Sequence, residues 1–226
     1  MEKIIYSANI GGYDDLTTPK IYDKNIRYIL FTDNKYFRSK VWEICHVDFL
    51  DNNWDNRKKS RYLKLNPHNI LPEHDISLWI DGNFTSQIEN FQEFLNLLDF
   101  DKKKEFMLYK HRLRNCTYEE SKRVVELGKE SVINLNLQIN KYKNENFPEN
   151  LGLFETGFLL RSNSENTKKF NDLWWNEMIN GSMRDQISLM YTSWKLNIKL
   201  HPILIGNSVY KNPFVQSYDH NYDFKI

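Results

Sequence analysis

The chain is poor in the features that mark several protein classes. Its 226 residues include two cysteines, Cys45 and Cys116, which are too few for a disulfide framework and indicate a reduced intracellular compartment. Lysine and arginine total 31, aspartate and glutamate total 30, and the net charge of +1 gives no electrostatic basis for binding nucleic acid or an anionic membrane. No apolar run approaches a membrane span, and no signal-like segment begins the chain. We therefore expect a soluble, cytoplasmic protein whose association with membranes, if any, is peripheral.

Linkers, repeats and low-complexity tracts are also missing, so residues 1–226 are predicted to form one domain with a substantial core. Aromatic residues, in contrast, make up 15% of the chain. Tyrosine and tryptophan combine an apolar body with a polar tip, which suits pockets that stack flat or sugar-like ligands. Core packing uses these residues equally well, so their abundance alone does not indicate a binding site.

Short, continuous apolar runs predict the strands of a sheet covered on both faces, as in parallel α/β proteins. The predicted strands cover residues 3–8, 28–31, 41–47, 76–80, 106–109, 151–161 and 199–205. Helical spacing of apolar residues predicts helices between several of them. Residues 133–139 alternate with period two, which is typical of a strand, but their long polar flanks favour a helix, and we predict a helix there.

Polar, ligand-capable residues follow the early strands. Residues 9–14 follow the first strand, residues 32–34 the second, and Asp81, Gly82 and Asn83 the fourth. The carboxyl ends of parallel strands open onto the crevice where α/β folds bind ligands. Gly82 allows a sharp turn or a close approach to a ligand, and Asp81 and Asn83 offer oxygen ligands for Mg²⁺ or Mn²⁺ held against a diphosphate. An Asx turn that closes the strand explains the same tripeptide.

Basic residues line one face of a predicted helix over residues 55–65, which Asp55 or Asn56 caps and Pro67 stops. Arg57, Arg61 and Lys64 share that face by their spacing. Either the face is solvated, or Arg57 and Arg61 enter the crevice and neutralise phosphates.

Three further segments carry polar motifs. Thr117 and Glu120 predict a capping box at the start of a helix, and Ser164 predicts another helix cap. His111, Arg112 and Arg114 form either a surface cluster or a phosphate or acceptor site. Residues 184–186, Arg-Asp-Gln, fall in the first turn of a later helix, which favours anions.

Eight motifs in fixed order make the chain recognisable. They lie at residues 6–14, 30–33, 57–59, 79–83, 111–112 with 118–120, 155–157, 174–175 and 184–186. The chain resembles nucleotide-sugar glycosyltransferases of the GT-A fold. More narrowly, it resembles the polysaccharide glycosyltransferase family of bacteria and plants that was long catalogued as a domain of unknown function and is distantly related to glycosyltransferase family eight.

This resemblance implies a GT-A, Rossmann-like α/β fold, in which helices flank a mixed, mostly parallel sheet. It implies transfer of a sugar from a nucleoside-diphosphate sugar to a hydroxyl of a glycan or glycolipid acceptor in polysaccharide biosynthesis. A UDP-sugar is the expected donor. The nucleotide would be held at the ends of the first, second and fourth strands and on the helix predicted over residues 55–65. The implied nucleotide-binding residues are Ala8, Asn9, Tyr13, Asp33, Arg57, Arg61, Asp81 and Gly82.

Within that set, the resemblance implies that Ala8, Asn9 and Tyr13 hold the nucleobase, Asp33 the base or ribose, and Arg57 and Arg61 the diphosphate. Residues 81–83 occupy the place of the family's aspartate-any-aspartate motif, which binds Mn²⁺ or Mg²⁺. Asp81, Asn83 and a late histidine, His220 or else His201, are the implied metal ligands. Asn83 is neutral where the family has a carboxylate, and neither histidine has the usual flanking residues, so metal dependence is left open.

Sugar transfer proceeds through an oxocarbenium-like transition state. The leaving diphosphate must be neutralised, and the acceptor hydroxyl must lose a proton, to a carboxylate if the reaction inverts. Asp185 is the first candidate for that base and Glu155 the second, while Gln186 would orient the donor. Helix capping for Asp185 and a turn or salt bridge for Glu155 are the structural alternatives. Inversion and retention both stay open.

Two other functions share part of this pattern. A sugar-nucleotidyltransferase would have the same sheet and metal carboxylate, but its first loop should be glycine-rich and carry lysine or arginine, whereas Gly11 and Gly12 are followed by Tyr13. A non-catalytic glycan-binding module explains the aromatic residues but not the charged groups beside the strand ends.

Overall fold

A computed structural model describes residues 1–101 and 103–220. In chain order, the strands are β1 (Lys3–Asn9), β2 (Arg27–Thr32), β3 (Glu43–His46), β4 (Ile76–Ile80), β5 (Phe84–Ser86), β6 (Phe106–Lys110), β7 (Phe154–Ser162), β8 (His201–Pro202) and β9 (Val215–Ser217). The helices are α1 (Asn56–Leu65), α2 (Pro67–Ile70), α3 (Phe91–Leu97), α4 (Thr117–Glu126), α5 (Val132–Asn144), α6 (Glu165–Ile179) and α7 (Asp185–Leu196).

A seven-stranded sheet with the order β3-β2-β1-β4-β7-β6-β8 forms the centre of the molecule. Strand β7 runs antiparallel to both of its neighbours, β4 and β6, whereas the other pairs are parallel. The predicted mixed, mostly parallel sheet flanked by helices is therefore confirmed. Its inner strands read as continuous apolar runs because both faces are covered. All residues of β4 and β7 are buried.

Apolar side chains form a core on each face of the sheet. On one face, α1, α6 and α7 contribute Leu63, Trp174 and Ile187. On the other, Phe91 and Phe94 of α3 pack with residues of the sheet and of the C-terminal segment. Most helices therefore stack on one side of the sheet, with α1 and α7 close to each other near its carboxyl edge.

Several predicted elements differ from the observed ones in length or burial. The third strand, β3, is shorter than predicted and mostly exposed, because it is the edge strand. The predicted strand at residues 199–205 shrinks to the two residues of β8. Sequence patterns missed the pairing of β5 with β9, which forms a second, two-stranded sheet.

The predicted capping box at Thr117 and Glu120 is wrong. Cys116 is the N-cap of α4 and makes no side-chain capping bond. Glu120 instead forms an ion pair with Arg114, so its carboxylate serves the preceding loop. The helix predicted over residues 133–139 is confirmed as part of α5, because its buried residues recur at helical spacing, as Leu135, Gln138, Ile139 and Tyr142.

In the part of the chain described, no helix combines the length and the apolar character that crossing a lipid bilayer requires.

Candidate active site

The parallel strands β1, β2, β4 and β6 end at one edge of the sheet, and the antiparallel β7 begins there. Asp81 follows β4, and its backbone N–H donates to the carbonyl of Gly157 in β7 at 2.9 Å. A Cβ on Gly82 would lie 2.8 Å from Asp14 Oδ2 and 2.9 Å from the Ala8 carbonyl. Glycine is therefore required at position 82, because the turn after β4 packs directly against the loop after β1.

A buried lysine joins two carboxylates at this edge. The Nζ atom of Lys64 lies 3.2 Å from Asp81 Oδ1 and 2.7 Å from Asp185 Oδ2, and the lysine side chain is fully buried. Trp79 Nε1 also donates to Asp81 Oδ1, at 2.6 Å. Since a buried charge is tolerated when it is paired and hydrogen-bonded, these contacts explain how Lys64 sits inside the core.

Asp185 begins α7 and is almost completely buried. Burial alone would raise its pKa, but the charges of Arg61 and Lys64, together with a hydrogen bond from Thr156, outweigh that cost and hold the pKa of Asp185 well below its usual value. The group is therefore a permanently ionised carboxylate that is fixed between two cations.

The basic face predicted for α1 is turned toward these carboxylates. Asp55 caps the helix by accepting from the backbone N–H of Lys58 at 2.7 Å. Arg61 Nη1 lies 3.7 Å from Asp185 Oδ2, and Arg57 Nη2 lies 3.8 Å from Glu130 Oε2. Together with Lys64, these side chains follow one line along the helix, as their spacing predicts.

The C-terminal end of α1 is anchored from beneath by a buried arginine. Arg161 Nη2 and the hydroxyl of Tyr6 donate to the Lys64 carbonyl, at 2.8 Å and 2.9 Å. Arg161 also donates to Asn171 Oδ1 at 3.1 Å. These bonds hold the backbone of Lys64, so its ammonium group reaches the two carboxylates from a rigid position.

A pocket of about 260 Å³ lies beside the carboxyl ends of β1 and β2. Its lining includes Asn9, Asp14 and Thr32. Asn9 Nδ2 donates to the carbonyl of Asp14, while Asn9 Oδ1 is buried and has no hydrogen-bond partner within the described residues. Because buried acceptors are nearly always satisfied, this oxygen requires a hydrogen-bond donor from outside the described protein atoms, either an ordered water or a ligand.

The glycine turn after β1 closes one side of this pocket. Gly11 and Gly12 both have positive φ, 69° and 64°, and Asp33 Oδ2 accepts from the Gly11 N–H at 2.9 Å. Next along the loop, the half-buried ring of Tyr13 packs against His220, with 4.9 Å between ring centroids. The loop therefore brings the predicted residues Ala8, Asn9, Tyr13 and Asp33 to one end of the crevice.

The remaining predicted catalytic residues lie on β7 and α7 and are already engaged. Glu155 accepts from Arg112 Nε at 3.1 Å and from the backbone N–H of Val209 at 2.8 Å. Gln186 Nε2 donates to the Phe154 carbonyl at 3.1 Å. Glu155 thus ties the segment around Val209 to β7, and Gln186 is held beside Asp185 at the start of α7.

Each of the predicted metal ligands already makes a contact with another protein group. Asp81 Oδ1 is shared by Trp79 and Lys64, Asn83 is buried with its amide donating to the Tyr218 carbonyl, and His220 Nδ1 lies 2.6 Å from Asp14 Oδ1. Residues 1–101 and 103–220 contain no group of three His, Cys, Asp or Glu side chains arranged to hold a metal ion. These contacts, together with the neutral side chain of Asn83, make the described residues a poor fit for a divalent cation at this position.

Two of the predicted histidines do not take part in the crevice, and one lysine that does was not predicted as a site residue. His201 lies on β8, at the far edge of the sheet, and lines a separate pocket of about 310 Å³. His111 accepts backbone N–H groups of its own loop. Lys64 was predicted only as part of a basic face; its flanking residues, Leu63 and Leu65, were the signal that the position is buried.

The chain is similar to proteins of a known family. A family model described as "TOD1/MUCI70, glycosyltransferase-like domain" matches residues 2–220. The chain is similar to the probable hexosyltransferase MUCI70 of Arabidopsis thaliana, with 25% identity over 223 residues. That alignment covers 87% of this chain and 38% of the plant protein, so the chain spans well under half the length of this relative.

The fold is also similar to those of two solved structures. Mouse xyloside xylosyltransferase 1 in its apo form has a TM-score of 0.51 and 10% identity, over 89% of this chain and 85% of that one. The glycosyltransferase GlyE of Streptococcus pneumoniae TIGR4 has a TM-score of 0.49 and 11% identity, over 90% of this chain and 45% of that one. The mouse enzyme shows a shared fold, and the predicted GT-A-like architecture is confirmed.

Proposed function

The chain belongs to the TOD1/MUCI70 glycosyltransferase-like family, and from that membership we propose that it transfers a sugar from a nucleoside-diphosphate sugar to a hydroxyl of a glycan or glycolipid acceptor. The observation that carries the proposal is the convergence at one sheet edge of a polar pocket, a row of cations and two carboxylates that share Lys64. The two cysteines are free, which supports a reduced, cytoplasmic setting for this chemistry.

The nucleobase belongs in the pocket beside Asn9. Uracil carries an N3–H group that donates a hydrogen bond, whereas the corresponding nitrogen of cytosine accepts one. The buried Oδ1 of Asn9 is an acceptor without a partner in the described structure. The N3 position of uracil therefore complements this acceptor and that of cytosine does not, although the 4-amino group of cytosine also donates; we place the base of a UDP-sugar here.

The diphosphate belongs along α1, next to Arg57 and Arg61. Guanidinium groups bind phosphate oxygens with two parallel hydrogen bonds, which makes arginine well suited to this ligand. Arg61 Nη1 lies 3.7 Å from Asp185 Oδ2 at the start of α7, and the charges of both arginines act on Tyr13 in the loop after β1.

The donor sugar then lies near Asp81, Asp185 and Gln186. We propose that Asp185 orients Lys64 and Arg61 toward the donor. The base role predicted for Asp185 and Glu155 stays a prediction, and their contacts favour other roles. Asp185 is a weak base because its pKa is held low by Arg61 and Lys64, even though burial opposes them, and both oxygens of Glu155 are occupied.

Mn²⁺ or Mg²⁺ at Asp81, Asn83 and His220 is the finer prediction that the motif makes. The commitment of these side chains to Lys64, Trp79, Tyr218 and Asp14 weighs against it. No step of the proposed transfer is therefore assigned to a metal ion.

A donor screen tests the proposal without knowledge of the acceptor. Glycosyltransferases release sugar slowly to water, so UDP-, GDP- and CMP-sugars are each incubated with the chain and the released nucleotide is measured. Release from a UDP-sugar supports the proposal. Formation of a nucleotide sugar from a sugar phosphate and a nucleoside triphosphate would favour a nucleotidyltransferase, and glycan binding without any nucleotide binding would favour a lectin-like module.

A further inference from the structure

Three arginines from two helices meet next to the strand-end crevice. Arg57 and Arg61 are one turn apart on α1, and Arg184 is the N-cap of α7. Burial, followed by the neighbouring charges of Arg184 and Arg61, lowers the pKa of Arg57. The charges of all three guanidinium groups also act on the Tyr13 hydroxyl. Glu130, which lies 3.8 Å from Arg57, also accepts from the backbone N–H of the residue before Arg184, and Arg61 lies 3.7 Å from the residue after it. The three side chains therefore form one cluster, which we call the arginine cluster.

The arginine cluster lacks matching carboxylates. Arg57 is 3.8 Å from Glu130, and Glu130 Oε2 already accepts from Ser182 Oγ and from the Met183 N–H, at 2.9 Å and 3.1 Å. Arg61 is 3.7 Å from Asp185, which pairs more closely with Lys64 at 2.7 Å. Neither ion pair is close enough to be a good charge-assisted hydrogen bond.

Arg184 has still fewer partners. Its guanidinium forms no ion pair with any residue of segments 1–101 and 103–220, and its Nε atom is buried without a hydrogen bond. The Nε atom of Arg61 is likewise buried without a hydrogen bond within the described residues. Leaving buried donors unsatisfied is costly, and placing three like charges together adds to the cost. A bound anion would relieve both.

The start of α7 adds to the positive potential. This helix has 12 residues, and its N-cap side chain makes no capping hydrogen bond. The positive end of the helix dipole lies at this N-cap, which is Arg184 itself.

We propose that Arg57, Arg61 and Arg184 bind the diphosphate of the donor directly, so that this chain binds nucleoside diphosphates without a divalent cation. The inference rests on the proposed function and extends it, because it adds Arg184 and assigns the neutralising charge to the protein. It also accounts for Asn83: a carboxylate is not needed at that position when no metal ion has to be held there.

Anionic groups of a glycan acceptor share this chemistry, so the test separates the two sources. Calorimetric titrations use UDP, inorganic pyrophosphate, uridine and an oligogalacturonide, each in EDTA and in Mn²⁺. The variant is Arg184→Gln. The matched control is Arg27→Gln. Arg27 is the first residue of β2, at the amino end of the strand and therefore away from the crevice, and it pairs with Glu43 on the surface.

We expect UDP and pyrophosphate to bind in EDTA with the same affinity as in Mn²⁺, and to compete with each other. Arg184→Gln should weaken both roughly 10- to 100-fold, the size expected for a lost hydrogen bond to a charged group, and leave uridine binding unchanged. Arg27→Gln should match the unmodified chain.

Binding of UDP that requires Mn²⁺, or that is unchanged in Arg184→Gln, overturns the inference but leaves the proposed function standing. If Arg184→Gln loses oligogalacturonide binding but keeps the binding of UDP and pyrophosphate, the arginine cluster binds the acceptor, and the inference is also overturned. Absence of UDP binding in both EDTA and Mn²⁺ overturns the proposed function together with the inference.

Discussion

The ammonium group of Lys64 lies 2.7 Å from the carboxylate of Asp185, inside the protein and out of contact with solvent. The same ammonium group reaches Asp81 at 3.2 Å, so one buried cation connects the end of β4 to the start of α7. This connection is the structural centre of the proposed site, because it fixes the two carboxylates next to the arginines of α1.

Removing the lysine charge should destabilise the protein. Lys64→Met leaves Asp185 ionised and buried, with Arg61 at 3.7 Å as its remaining cation. We expect the free energy of unfolding to fall by about 3–5 kcal/mol, as for other broken buried pairs, measured by urea unfolding. Lys122→Met, at an exposed position of α4, is the control and should change stability by about 0.5 kcal/mol or less. The double variant Lys64→Met, Asp185→Asn should recover much of the loss; additive losses would contradict the coupling.

The same pair should make stability depend on pH in acid. Arg61 and Lys64, against the effect of burial, hold the pKa of Asp185 below its ordinary value of 3.8. The resulting stabilisation is complete above pH 3.8 and is lost as the pH falls through the lowered pKa. In Lys64→Met this contribution is smaller, so the stability difference between the unmodified chain and the variant should shrink below pH 3.8. A difference that stays constant in urea titrations from neutral pH into acid would contradict the assignment.

Asp185→Asn tests whether this residue acts through its charge or as a base. If Asp185 orients Lys64 and Arg61, the amide should weaken donor binding and lower kcat/KM by roughly 10- to 100-fold, the size of lost charge-assisted bonds. The pH profile of the remaining activity should keep its shape. Unchanged donor affinity, together with loss of the acidic limb of the kcat profile, would instead show a general base.

Asn9→Ala tests the nucleobase pocket. The substitution removes the buried Oδ1 acceptor, so the N3–H of uracil would enter the pocket unsatisfied. We expect the Kd for UDP to rise about tenfold and the preference for UDP over CDP to fall. Pyrophosphate binding serves as the internal control and should not change. A UDP-over-CDP preference equal to that of the unmodified chain would place the base elsewhere.

Much of this architecture could be predicted because its signals are local. The apolar runs of β1, β4 and β7 predict buried strands, and the Asp55 cap and Pro67 delimit α1. The proximity of the polar residues at the strand ends could also be predicted, since parallel strands end at a common edge of the sheet. The basic face of α1 followed from spacing alone.

The parts that could not be predicted depend on contacts between distant segments. The β5–β9 sheet joins residues more than 100 positions apart through a short pairing without strong alternation. The predicted capping box failed because Thr117 is already the first residue of α4, with Cys116 as the N-cap, and Glu120 pairs with Arg114. Lys64 is a charged residue that ordinary propensities assign to solvent; its burial depends on carboxylates that β4 and α7 bring to it.

Hydrolysis of a UDP-sugar by the unmodified chain and by Asp81→Ala tests the account most directly. Its control is Asp172→Ala on α6, where the carboxylate is 64% exposed and pairs with His68. We expect Asp81→Ala to keep its fold by circular dichroism and to lose activity by about 10²-fold or more, while Asp172→Ala retains it. Undiminished hydrolysis in a folded Asp81→Ala would contradict a site centred on this strand end.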